Sequence, residues 1–300
     1  MPAARPSPRR SPDPPVPDDP VPYDPDKLAE LMLLAAEGLQ TDPTYGATKL
    51  NKALFFGDFL HHKRHGRPIS GAAYQRLPRA PAPRDLLAVR RGLYDRGEAT
   101  VETRAHLGHV QQRLLPLRPP RQEVFEATEV QVVAEVCDAL RGHSHANVLG
   151  WQLAAEREDI PYESAFLSTS TPARADIERA LALADERGLL GPGPAAGIRP
   201  AGSAAPPDQR VLRTVSYECS VGDLLSSYPR AGEVLAGIEW ACARWPDGIH
   251  RIPGTRLHLL KTEWPVPSLR AWFSLDDEGR CTLWALDQIE PYGPEEDGTD

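Results

Sequence analysis

The sequence predicts an α+β protein: a mainly helical N-terminal domain with one β-hairpin, linked to a small α+β domain with an antiparallel sheet. Three observations carry that prediction. Apolar residues recur at helical spacing through most of residues 26–190. A Gly/Pro/Ala-rich stretch, GPGPAAGIRPAGSAAPPDQ at 191–209, interrupts the chain. Beyond it, RLHLLKTEW, LRAWFSLDD and RCTLWALDQI alternate in the manner of strands.

Bulk properties frame this reading. The chain has 300 residues, 41% hydrophobic and 25% charged, with a formal net charge of −8. That is globular composition and length for about two domains. The negative balance argues against broad nucleic-acid binding by the whole chain. No apolar run has the length of a membrane span, and residues 1–25 lack the apolar core of a secretory signal. Cys137, Cys219, Cys242 and Cys281 are scattered without paired spacing, which reads as buried thiols in a reducing cytoplasm. The histidine pairs His61-His62, His106…His109 and His143…His145 have no cysteine or acidic complement of metal-site type, so neither metal nor other cofactor is expected.

In order, residues 1–25 are dominated by Pro and form a disordered or polyproline-like tail. Asp24 or Asp26 caps a helix over about 26–40, with Leu28, Leu31, Met32, Ala35 and Leu39 inward. A second helix, about 47–65, starts at a Thr48 cap and ends at Gly66. Its stripe is Leu50, Leu54, Phe55 and Phe59, and Asp58 lies near it. A carboxylate there needs donors. The plainer role for Asp58 is to accept backbone N–H groups of the following loop; the alternatives are a catalytic role or, with Tyr74, a binding role. A third helix spans about 83–96, and a half-exposed hairpin pairs 98–105 with 109–116 around Leu107-Gly108. Helices at 127–141, 145–156 (capped by Ser144) and 173–188 (stopped by Gly188) complete the unit.

Past the linker, VLRTVSYEC reads as a strand over 211–219, followed by one or two helices, the better at 229–244. Strands at 256–264, 269–277 and 280–289 follow, the last two joined by Asp277-Glu278-Gly279. In the middle strand Leu269, Ala271, Phe273 and Leu275 face a helix, and Arg270, Trp272 and Ser274 face away. Arg256 and His258 share a face in the strand before. If those polar faces coincide, the sheet offers phosphate-neutralising arginines, a stacking plane and a proton carrier, the functions of RNA cleavage. Lys261 and Tyr292 extend this catalytic set, with Trp272 as a binding plane. The plainer alternative is an ordinary solvated sheet face. Residues 293–300 are an acidic, solvated tail.

Two resemblances sharpen the functional expectation. Lys49-Leu50-Asn51-Lys52, the aromatic helix with Asp58, the Gly66…Ile69-Ser70-Gly71 turn, Tyr74 and Ala80-Pro81 resemble the SocA-like Panacea family over about 26–190, although that family usually has Gly-Pro where this chain has Ala80-Pro81. This resemblance implies an antitoxin that neutralises a protein toxin by contact, without enzymatic chemistry. Ile238-Glu239 before Pro246, Arg270-Ala271-Trp272-Phe273 and Leu283-Trp284-Ala285-Leu286 resemble the RelE/ParE toxin family over about 210–292. That implies a toxin or toxin-derived domain fused in cis, with RNA or the ribosome as a further partner. The toxin is then either the chain's own C-terminal domain or a separate protein. An active ribonuclease held in check in cis, and an adaptor delivering a client for proteolysis, are the alternatives. The expected location is the cytoplasm.

Overall fold

A computed structural model describes residues 21–106, 109–141, 158–168, 170–192, 211–244, 249–262 and 267–289. The expected helix at 145–156, most of the linker, Tyr292, residues 1–20 and the acidic tail lie outside the described residues. The end of the expected disordered tail is ordered: the Asp24 N–H donates to the Ser70 carbonyl at 3.0 Å, and Pro25 already lies in the first helix.

The first unit is built on two helices. α1 (Pro25–Leu39) starts where the Asp24 side chain accepts from the N–H groups of Asp26 and Lys27. α2 (Ala47–His65) starts at Gly46 with no side-chain cap, so Thr48 lies inside the first turn and is not the cap. Its end is as expected: Gly66 takes φ 76° and its N–H reaches the His62 carbonyl. Short strands β1 (Tyr74–Gln75) and β2 (Ala82–Pro83) follow, then α3 (Leu86–Asp95). β3 (Ala99–His106) and β4 (His109–Pro116) form the hairpin, and α4 (Ala127–Leu140) packs on α1 and α2. β5 (Asp159–Ile160) completes a small sheet in the order β2-β1-β5. Leu31, Met32, Leu54, Phe55, Tyr74 and Val133 meet in one apolar core.

The second unit is a five-stranded sheet in the order β6-β8-β9-β10-β7. It contains β6 (Leu167–Ser168), β7 (Val211–Arg213), β8 (Leu257–Thr262), β9 (Leu269–Leu275) and β10 (Cys281–Gln288). β7 runs parallel to β10; the other pairs are antiparallel. Gly279 at φ 74° makes the expected turn between β9 and β10. Helices α6 (Val215–Ser227) and α7 (Ala231–Arg244) cover one face, and α5 (Arg174–Arg187) the other.

Two expectations change here. The strand read over 211–219 stops at Arg213. The Thr214 hydroxyl then accepts from the Tyr217 N–H and starts α6, a cap that outweighs the β-propensity of Val215 and Tyr217. Cys219 therefore sits on an outer helix face and is exposed, whereas Cys137, Cys242 and Cys281 are buried; all four are free thiols. The second change concerns residues 166–187, which the sequence places with the first unit. Leu167 pairs with Thr262, and Ala180, Leu183 and Ala184 of α5 bury against Leu257, Leu259 and Trp272. Residues from Phe166 onward thus pack with this sheet, ahead of the linker.

At the junction the contacts are close. An added Cβ on Gly237 of α7 would lie 2.5 Å from the Glu163 carbonyl oxygen, so only glycine lets the helix approach there. Arg230 donates to the carbonyls of His62 (2.9 Å) and Lys63 (2.8 Å), and both its Nε and Nη2 reach the Glu233 carboxylate. Its guanidinium also lies over the Phe166 ring.

Candidate functional site

Two carboxylate centres gather some of the polar residues singled out in the sequence. The first is Asp58, on the inner side of α2. Gly66 ends the helix and turns the chain back along it, so Ser70 and Tyr74 arrive at the Asp58 carboxylate. The Ser70 N–H donates to Oδ1 at 2.7 Å, the Ser70 hydroxyl to Oδ2 at 2.5 Å and the Tyr74 hydroxyl to Oδ2 at 2.7 Å. Ser70 Oγ also accepts from the Ala72 N–H, and the Tyr162 hydroxyl donates to the Ala72 carbonyl at 2.7 Å. Gly71 between them has φ 67°, and a Cβ there would lie 2.9 Å from the Val21 and Pro22 carbonyl oxygens. Both facts demand glycine.

Aromatic rings close the centre. The Phe55 and Phe59 rings stack at 3.9 Å, and each meets the Tyr74 ring edge-on at 5.5 Å.

 Asp58 itself is wholly buried, and no cation pairs with it among the described residues. Burial raises its pKa, against the lowering effect of the Ser70 and Tyr74 donors. Burial and the neighbouring carboxylate push the Tyr74 phenol well above its usual value. A group enclosed in this way clamps the 66–74 loop onto α2, which is the plainer role read from the sequence. Lys49, on the same helix, is engaged elsewhere: its Nζ lies 2.6 Å from Asp42 Oδ2.

The second centre is Asp176, in the first turn of α5. It accepts from the Ala173 N–H at 2.7 Å, which caps its own helix. It also faces β8 and β9, where Lys261 Nζ lies 3.1 Å and Arg270 Nε 2.5 Å from its oxygens. Burial raises the Asp176 pKa, but the Ala173 N–H, Lys261 and Arg270 outweigh it and leave the group below the usual carboxylate range. Nearby, Arg179 grips Asp287 with two bonds (2.8 and 3.1 Å), and Asp287 accepts from Trp272 Nε1 at 2.8 Å. Arg179, Arg270 and Asp287 line a cleft of about 510 Å³ with Ser220 and Asp223 of α6.

The sequence-derived candidates are thus divided. Lys261, Arg270 and Trp272 do share a face, through the register Lys261↔Arg270 and Leu259↔Trp272. That face is not solvated: α5 covers it, and Trp272 is fully buried. His258 pairs with Phe273 and stacks on its ring at 5.0 Å, on the side of α6 and α7, with Nδ1 3.0 Å from the Ile249 carbonyl oxygen. The two polar faces therefore do not coincide. Arg256 lies just before β8 and is exposed. Asp176, Arg179 and Asp287 escaped the sequence reading. The signal for Asp176 was its place in the first turn of a helix that begins PARAD; nothing local announced the other two.

Among the described residues no group of three or more His, Cys, Asp or Glu is placed to hold a metal ion, and no helix is long and apolar enough to cross a membrane. Comparison with curated proteins and with solved structures finds no match. Residues 50–149, from α2 through the hairpin and α4, match the model of the family described as antitoxin SocA-like, Panacea domain.

Proposed function

We propose that this protein works in a toxin–antitoxin system, as an antitoxin that neutralises a protein toxin by direct contact. The observation that carries this reading is the Panacea-domain match over residues 50–149. The Asp58 centre agrees with it. Its carboxylate is enclosed and saturated by Ser70 and Tyr74, which suits a rigid scaffold presenting an outer surface better than a centre that must admit substrate. The test is growth of bacteria that express, one at a time, the reading frames adjacent to this gene. At least one frame is lethal alone and tolerated when the full chain is present. If a lethal frame stays lethal beside the accumulated chain, the reading fails.

A second reading concerns the source of the toxin, and one observation favours it. The order β7-α6-α7-β8-β9-β10 is the order on which the RelE/ParE likeness rests, and the face bearing Arg270 and Lys261 is covered by α5. In this reading the first body ends near residue 160, and 161–289 is a toxin-derived domain masked in cis. A tethered segment is present at high effective concentration, so modest affinity keeps it in place. Replacing Ala180, fully buried in α5, by Arg forces that helix off the sheet. Growth arrest by Ala180→Arg, abolished by adding Arg270→Ala, supports a masked toxin, and RNA integrity in arrested cells decides whether it is a ribonuclease. Normal growth with a soluble Ala180→Arg chain places the toxin on a separate protein.

A further inference from the structure

We infer that β3 is a dimerisation edge, at which two copies of this chain pair antiparallel about Thr103. Four observations lead there. First, β3 has eight residues and pairs only with β4 among the described residues. β4 lies on the body of the first unit, with Arg113 and Leu114 buried, whereas every residue from Thr100 to Ala105 is exposed. The strand holds no Pro and no bulge, and its two charged residues, Glu102 and Arg104, are of opposite sign.

Second, the hydrogen-bonding phase of that edge is fixed. The Glu98 carbonyl accepts from the Leu117 N–H, so even-numbered residues of this strand point their backbone groups at β4. Alternation then turns the N–H and C=O of Val101, Thr103 and Ala105 outward. A second copy of β3 must therefore set odd-numbered residues opposite odd-numbered ones.

Third, charge favours pairing about Thr103 over the two neighbouring registers. Pairing about Glu102 sets Glu102 against itself, and pairing about Arg104 sets two arginines together. Pairing about Thr103 sets Glu102 of each copy opposite Arg104 of the other, in the close, non-hydrogen-bonded sites. Arg104 has no ion-pair partner among the described residues, and Glu102 has only Arg113, at 3.8 Å.

Fourth, the same register covers exposed apolar surface. Val101 is 49% and Val110 73% exposed, and both lie on one face of the hairpin, through the pairs Val101↔Leu114 and Ala105↔Val110. In the two-fold pair each Val101 stands opposite Ala105 of the other copy, beside its Val110. Two hairpins then form one four-stranded sheet with a joined apolar face.

The experiment is the solution mass of the full chain by light scattering and sedimentation across the micromolar range, since an interface of one strand edge is small. A monomer–dimer equilibrium is expected. Arg104→Glu sets like charges opposite one another twice and weakens the dimer about tenfold. Glu102→Arg with Arg104→Glu restores the pairing and the dimer. Thr103→Pro removes an outward N–H that β4 does not use, and abolishes the dimer while the hairpin stays folded. A monomer throughout the range overturns the inference, including the case in which the edge takes up a strand of another protein. So does a dimer indifferent to Arg104→Glu, or one that the double variant fails to restore.

Discussion

Asp58, inside α2, and Asp176, in the first turn of α5, are both buried carboxylates, and they are satisfied in opposite ways. Asp58 has neutral donors, Ser70 and Tyr74, and its proton affinity is raised. Asp176 has two cations, Lys261 and Arg270, and its proton affinity is lowered. The difference follows from what each centre joins. Asp58 ties a loop to the helix that precedes it, where the partners are backbone and hydroxyl groups a few residues away. Asp176 ties a helix to a sheet far along the chain, and the long basic side chains that span that gap keep part of their surface in water. A local clamp is made of hydrogen bonds; a long-range cover is made of ion pairs laid over an apolar contact.

Removing the two carboxylates is the sharpest way to break this comparison. Asp58→Ala leaves the Ser70 and Tyr74 donors buried and unpaired, and costs about 3–4 kcal/mol in denaturant-midpoint measurements. A loss under about 1 kcal/mol means that the loop is held without the clamp. Next is the junction between the bodies. Gly237→Ala drives a methyl group into the Glu163 carbonyl and costs about 2–3 kcal/mol, read as a lower melting temperature. Asp176→Ala is milder, about 1–2 kcal/mol, because Lys261 and Arg270 are partly exposed and water replaces part of what they lose. If it matches Asp58→Ala in cost, the distinction between clamp and cover fails.

The smallest effect is the pH dependence, and its sign separates the two kinds of centre. At Glu233, burial raises the pKa, but donors from Arg230 and His62 outweigh it and bring the group from 4.5 to about 2. The folded state then binds its proton less readily than the unfolded chain. Its stabilisation is present above pH 4.5 and is lost as pH falls toward about 2. Asp58 runs the other way. Its folded pKa lies above 3.8, so its favourable contribution is present below that value and lost as pH rises through the folded pKa. Stability of Asp58→Asn should therefore climb more steeply with pH above about 4 than that of the native chain. Parallel curves from urea titrations at several pH values contradict the raised Asp58 pKa.

The same contrast between local and long-range structure explains what was legible in the sequence. α1, the end of α2 at Gly66 and the hairpin were readable because their signals are local: the Asp24 cap, a left-handed glycine, and alternation on both sides of a short turn. The loop-holding role of Asp58 was readable because its donors follow within sixteen residues. Thr214 was missed because VLRTVSYEC has the composition of a strand, and a single capping hydroxyl inside it decides otherwise. Alternation in β9 separated its two faces, with Leu269, Ala271 and Phe273 on one and Trp272 on the other. It gave no hint that α5 lies over the Trp272 face, since that contact joins residues about ninety apart. Nor did it set the phase of β8 against β9, which is why His258 fell on the wrong side.

Neutralisation by contact is the central claim, and the most direct measurement of it is gel filtration of the full chain co-expressed with a toxin that it neutralises, together with the lifetime of that toxin in the cell. The account predicts that the two proteins elute together in a fixed ratio and that the toxin persists undegraded. Separate elution, or a toxin that disappears faster when the chain is present, contradicts it, and the faster loss would mark the chain as an adaptor for proteolysis.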